Sequence, residues 1–171
     1  MATCAVMLIA GNETTRNLIG NGMLALLRNP DQLERLWEDP SLVDSAVEEL
    51  LRYAGPVQST ARVATEDIEI DGTVVERGQL VVTVLAAANR DPTHFPDPDQ
   101  LDITRQDNHH VAFGYGVHSC LGQPLARLEA RIAFDTLARR ISNPRLAIDE
   151  VEWGPSFILR GVESLPITYD A

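Results

Sequence analysis

The side chains most able to do chemistry are concentrated in Phe113-Gly114-Tyr115-Gly116-Val117-His118-Ser119-Cys120-Leu121-Gly122. Its glycines let backbone approach a flat ligand closely, and its single cysteine directly precedes a stretch of helical periodicity. A thiolate at Cys120 would face the first turn of that helix, where unpaired N–H groups and the dipole favour negative charge and lower a thiol pKa. With no second Cys or His at chelating spacing, the sulfur suits an axial ligand to a macrocyclic iron better than a zinc or iron–sulfur site. Two other readings stay open on these residues. One is a structural cysteine beside a glycine-rich turn. The other is a Cys–His nucleophile pair, for which His118 and Cys120 are close in sequence but lack an evident orienting Asn or Asp.

A second group, Ala10-Gly11-Asn12-Glu13-Thr14-Thr15, lies within a helical pattern running from about Ala2 to Arg28 and closed by Asn29-Pro30. Gly11 and the two threonines cost helix propensity where a core helix would use Ala or Leu. That composition invites a local distortion, a π-type bulge or opened turn that frees backbone groups. The alternative is a hydroxyl bonded back to the preceding turn. Glu49 and Arg52 form a third group, three residues apart and so on one helix face. Val47, Leu50 and Leu51 make that helix apolar on more than one side, so the pair reads either as surface decoration or as a buried, charge-assisted contact.

The elements that must hold these groups are mostly helical. After the first helix, one begins near Pro30 and stops before Pro40, and another runs from about Ser41 to Tyr53. Ile68 and Ile70 alternate with acidic residues before an Asp71-Gly72 turn, and the Val-rich stretch Gln79 to Leu85 completes a small β region. Asn89 to Asn108, crowded with Pro and Asp, predicts an ordered acidic meander. Leu121, Leu125, Leu128 and Ile132 mark a stripe of a last helix reaching about Ile141, followed by short β-like runs around Ala147, Phe157 and Ile167.

Composition sets outer bounds. A length of 171 residues with 44% hydrophobic content fits one globular unit, and no window is apolar enough for a membrane span. A net charge of −11 is the wrong sign for gathering phosphates, which excludes nucleic acid as a partner class. The first ten residues are apolar but lack the basic segment and cleavage site of a signal peptide. Cys4 and Cys120 lie far apart in unlike neighbourhoods, which reads as a reducing compartment and a cytoplasmic location. A hydrophobic helix with no leading cap reads as the middle of something longer.

In chain order, the Ala10–Thr15 helix, Glu49-x-x-Arg52, Arg62, the meander sequence Phe95-Pro96-Asp97-Pro98-Asp99-Gln100-Leu101 and the Cys120 loop resemble the C-terminal portion of the cytochrome P450 family, the haem-thiolate monooxygenases. The resemblance spans essentially the whole chain. It implies a mainly α fold with small β-sheets (helix-rich α+β), with residues 1–171 forming a single partial domain that begins inside the central oxygen-activation helix. The cofactor it implies is haem b, iron protoporphyrin IX. Cys120 would be the axial ligand, with Phe113, Gly114 and Gly122 around it, and His118 and Arg62 on the haem propionates. Ala10 and Gly11 would leave room for dioxygen, while Glu13 and Thr14 would manage the protons of oxygen activation. Glu49 and Arg52 would lock the meander beneath the haem. Gln100 stands where many family members have arginine, which makes Arg105 the candidate third member of that network.

For the parent enzyme the resemblance implies that one atom of O2 enters an organic substrate and the other leaves as water. Electrons would come from a ferredoxin or flavodoxin-type donor with its reductase. The rival reading is a truncated haem-binding remnant or interaction fragment without turnover of its own, dependent on the missing N-terminal portion of the domain.

Overall fold

The computed structural model describes the backbone from Ala2 to Asp170 and the side chains at 7, 8 and 10–170. The expectation for Cys4 therefore lies outside the described side chains. Prolines set the first boundaries. Helix α1 (Ala2–Arg28) ends where Asn29 turns its amide back to Leu26 O and its side-chain amide to Ala25 O. Pro30, which has no N–H to lose, opens α2 (Pro30–Glu38). Asp39 then accepts from the amide and hydroxyl of Ser41, capping a short 3-10 turn (Pro40–Leu42) that leads into α3 (Val43–Ala54).

Four strands follow: β1 (Thr60–Val63), β2 (Ile68–Ile70), β3 (Thr73–Val75) and β4 (Leu80–Thr83). They form two separate antiparallel ribbons, β1 with β4 and β2 with β3. Asp71 and Gly72, with φ of 48° and 76°, make the left-handed turn that joins β2 to β3. A single helical turn, α4 (Leu85–Ala88), begins at the last residue of the Val-rich stretch. The meander has no regular element, as its Pro and Asp content predicts. Helix α5 (Gln123–Arg140) and a third ribbon of β5 (Ser142–Leu146) with β6 (Ile167–Asp170) complete the chain. The region around Phe157 contributes only an isolated bridge, Leu159 to Val57.

The core lies between α1, α2, α3 and α5. Leu18 and Leu26, Leu36, Leu50 and Phe134 meet there, with Ile103 of the meander closing one side. Each such side chain contributes about 1.5–3 kcal/mol by leaving water. A Cβ on Gly22 would come within 2.8 Å of Phe134 Cζ, so α1 and α5 approach this closely only because glycine is there.

One expectation is corrected, and one choice that periodicity leaves open is decided. Helix α1 is α-helical throughout, with no bulge or opened turn at Gly11 to Thr15. The Thr14 hydroxyl donates to Ala10 O at 2.6 Å, satisfying itself without displacing the ladder. The leucine stripe does not form the packed face of α5. That helix packs through Ala130 and Phe134, while Leu125, Leu128 and Ile132 are 58%, 48% and 57% exposed and Leu121 lies bare before its first turn. Helix α5 is apolar on two sides, and the described residues cover one. Among the described residues no helix is long and apolar enough to cross a membrane.

Candidate functional site

Cys120 is an exposed free thiol at the end of a loop built by backbone geometry. Gly114 and Gly116 adopt φ of 70° and 71°, in the left-handed region that side chains disfavour. Between them and the cysteine runs a 3-10 turn (Gly116–His118) closed by Ser119 N–H to Gly116 O. The loop is tied at its base, where the Cys120 amide donates to Phe113 O at 2.9 Å and the Gly114 amide to Val111 O at 2.8 Å. A Cβ on Gly122 would lie 3.8 Å from Cys120 Sγ, in ordinary contact with the sulfur. Tyr115, Val117, His118 and Leu121 are exposed, so the thiol stands on an open apolar face with one imidazole beside it in sequence.

Below this loop, α3 carries two successive carboxylates, each tying down a different part of the chain. Glu49 and Arg52, 0% and 2% exposed, form a two-pronged ion pair: Arg52 Nη2 and Nε reach Glu49 Oε1 and Oε2 at 2.7 and 2.8 Å. Arg52 spends its remaining donors on meander carbonyls, at Asn89 O, Pro98 O and Gln100 O. Glu49 accepts in turn from the Asp102 amide at 3.0 Å, Arg105 Nε at 3.2 Å and Asn108 Nδ2 at 3.0 Å. A buried carboxylate is tolerated only with its lone pairs filled in this way. Arg105 thus joins the pair, and Gln100 enters through its backbone.

The neighbouring Glu48 turns toward α5. Its Oε1 and Oε2 accept from Arg127 Nε at 2.6 Å and Nη2 at 2.9 Å, and Oε2 lies 3.1 Å from His110 Nε2. Burial alone would push its carboxyl up. Hydrogen bonds from His110 and Arg127 and the charge of Arg127 outweigh that and hold it at about 2, against an ordinary 4.5. A carboxyl lowered on folding adds stability that is complete above its unfolded value and is lost as the pH falls through its folded one. In Glu48→Gln the loss of stability between about pH 4.5 and 2 is therefore expected to be shallower than in wild type. Urea titrations at about pH 5, 4 and 3 check this, and superimposable acid limbs would rule it out.

The remaining candidates do not converge on these two clusters. Arg62 is exposed on β1, and among the described residues its side chain donates to Ala61 O alone, at 2.7 Å. Glu13 is exposed on α1, beside Ala10 and Gly11, which are also open. Among the described residues nothing within 4 Å would meet a Cβ on Gly11. His94 and His109 are exposed, as their loop positions predict.

Residue patterns gave no notice of Asn89 or Asn108. Asn89 is buried, and its Oδ1 accepts from the Val111 amide at 2.8 Å, linking the Glu49 and Arg52 cluster to the root of the cysteine loop. Asn108 keeps one buried Oδ1 without a donor among the described residues. The one local signal for Asn89 is an amide directly after three alanines. The bond from Glu48 to Arg127 joins positions 79 residues apart, which local spacing cannot reveal.

Among the described residues no three His, Cys, Asp or Glu side chains gather into a chelating cluster. A metal at Cys120 would have to bring its other ligands with it, as a porphyrin does. The glycine-shaped loop, open apolar face and exposed Arg62 and His118 fit such a group, whose flat ring needs backbone clearance and whose carboxylates need cations.

The family model described as Cytochrome P450 matches residues 1–143. The biotin biosynthesis cytochrome P450 of Bacillus subtilis is 52% identical over 99% of this chain and 43% of its own length. Cytochrome P450 monooxygenase PikC of Streptomyces venezuelae is 52% identical over 96% of this chain and 40% of its own. The solved structure of P450BioI in complex with a hexadec-9Z-enoic acid-ligated acyl carrier protein superposes with a TM-score of 0.95, at 52% identity, over 98% of this chain and 44% of that one. The chain thus spans less than half the length of the relatives it matches.

Proposed function

The chain belongs to the cytochrome P450 family, and on that premise we propose that Cys120 is the axial thiolate ligand of a haem b whose protein inserts one atom of O2 into an organic substrate. The observation that carries this reading is the loop itself: an open, free thiol beyond two left-handed glycines, its amide anchored to Phe113 O. On this reading residues 1–171 form one partial domain, the C-terminal part of the fold, beginning inside the oxygen-activation helix. The protein is cytoplasmic. Its electrons come from a ferredoxin or flavodoxin-type donor with its reductase, and neither nucleic acid nor membrane is a partner.

When bound, the iron porphyrin supplies the activation of O2 that side chains cannot provide. The chain's own residues do the rest. Cys120 Sγ, as thiolate, would hold the iron and supply electron density to it. Gly114, Gly122 and Phe113 shape the bed of the ring on the sulfur side. Arg62 and His118 neutralise its carboxylates. Ala10 and Gly11, with no bulk beyond Cβ, would leave room for dioxygen. Thr14 commits its own proton to Ala10 O, which leaves its Oγ1 lone pairs able to accept a hydrogen bond and would let it hold a proton at that oxygen. The Glu13 carboxylate, exposed on the same turn, exchanges that proton with solvent.

Thr14→Ala is accordingly expected to lower product formation on the order of 10²-fold while electron consumption continues, the difference appearing as hydrogen peroxide. Assaying product and peroxide together checks it, and undiminished coupling would reduce Thr14 to scaffold.

A second reading has its own support: the bare apolar side of α5 and the exposed cysteine loop leave surface that a complete domain would cover. On that reading the chain binds haem but turns over only with the missing N-terminal portion in place. Reconstitution with haem and a ferrous carbon monoxide spectrum test the first claim. A thiolate-type Soret position supports Cys120 ligation, and a neutral-ligand position overturns it. Substrate turnover with a ferredoxin and its reductase then separates enzyme from remnant.

A further inference from the structure

We propose that Glu48 is a positioning residue for the Cys120 loop, acting through a clamp that it closes on Phe113 together with Arg127 and His110. The inference deepens the haem-thiolate reading and rests on it only for the identity of the ligand.

The clamp begins with the α-helix. Successive residues on α3 project about 100° apart, so Glu49 is taken up by the meander while Glu48 meets α5. Arg127 engages both Glu48 oxygens and gives a further donor to Gln123 Oε1 at 2.9 Å, leaving its guanidinium plane little freedom. Its guanidinium carbon lies 4.7 Å from the centroid of the Phe113 ring, over its face. On another side of Phe113, the His110 ring sits with its centroid 6.1 Å away at 48°. The Ala112 amide donates to His110 Nδ1 at 3.2 Å, so the imidazole proton stands on Nε2, aimed at Glu48 Oε2. One carboxylate thereby bonds both the guanidinium and the imidazole that lie against Phe113, whose ring also packs against the core. The carbonyl of Phe113 in turn receives the Cys120 amide.

Removing Glu48 alone should leave the second anchor in place. Asn89 Oδ1 still holds the Val111 amide, and Asn89 O still accepts from Arg52. The expected effect is local: residues 110–120 loosen while the meander stays closed. A residue that merely contributed to stability would loosen both.

The test compares amide hydrogen exchange at Ala112 and Cys120 with exchange at Asp102, whose amide belongs to the Glu49 cluster. Measurements are made on the haem-loaded protein and on the full haem-free chain. Losing a charge-assisted bond of this kind should speed exchange at Cys120 and Ala112 roughly tenfold in Glu48→Ala and less in Glu48→Gln, with Asp102 unchanged. In the haem-loaded protein the carbon monoxide spectrum should lose thiolate-type intensity in the same order. Arg127→Lys, which keeps the charge but not the two-pronged guanidinium over Phe113, should behave like Glu48→Ala. Unchanged exchange at Cys120, an equal rise at Asp102, or full rescue by Arg127→Lys overturns the clamp. A wild-type protein lacking the thiolate spectrum overturns the haem reading instead, and the exchange measurements still decide the clamp.

Discussion

In Cys120→Ala, the thiolate-type carbon monoxide spectrum is expected to vanish and turnover to fall to background, a loss of at least about 10³-fold, with little change in the stability of the haem-free chain. The size of the effect follows from the role proposed for the thiolate, an electron donation to the iron that no neighbouring side chain could replace. The small cost in stability follows from exposure, since the thiol is open and removing it leaves no cavity. The backbone bond from residue 120 to Phe113 O survives the substitution, so the loop keeps its anchor. Spectra and urea denaturation of the same preparations check the two halves. Retention of a thiolate-type band would move the ligand elsewhere, whereas a large drop in apo-stability would make Cys120 a packing residue.

Glu49→Ala has the opposite profile. It should cost about 3–5 kcal/mol, because Arg52 would remain buried with its charge uncompensated. That is a large part of the ~5–15 kcal/mol that stabilises a whole domain. Arg105 and Asn108 lose their acceptor with it, and the Asp102 amide loses its carboxylate. The meander, which has no ladder of its own, then loses the carboxylate that gathers three of its donors. Haem incorporation should fail for want of a folded bed, before any chemical step. Arg52→Lys should not rescue the site, since one ammonium group cannot reach Glu49 and three backbone carbonyls at once. Haem content per chain and denaturation midpoints are the readouts. A soluble Glu49→Ala protein carrying a full complement of haem would show the pair to be dispensable.

What the sequence made legible was local. Pro30 and Pro40 place helix boundaries by removing a donor, and Asp71-Gly72 places a hairpin by accepting left-handed backbone. Glu49 and Arg52 share a face because the helix repeat requires it. The cysteine loop announces itself because few structures need that many glycines beside one sulfur. Contacts made across long stretches of chain left no such trace. Glu48 reads as one more acid next to Glu49, and only the packing of α3 against α5 gives it Arg127. Thr14 combined two signals, a helix-breaking composition and a hydroxyl able to bond backward, and the second prevailed because it satisfies the hydroxyl without opening the ladder. Periodicity found the stripe on α5 but could not say which of two apolar sides would be packed. That choice is made by Gly22, which admits Phe134 and so turns the other side outward.

Leu125, Leu128 and Ile132 also bear on how this polypeptide would fare inside a cell. Chaperones and quality-control proteases recognise runs of uncovered greasy residues, and a helix presenting such a run continuously looks to them like a nascent chain still awaiting its partner. Its abundance would then be governed by rescue and disposal more than by translation. Whatever shields that side, whether supplied in the same molecule or by another, would act as a licence to persist before it had any influence on catalysis.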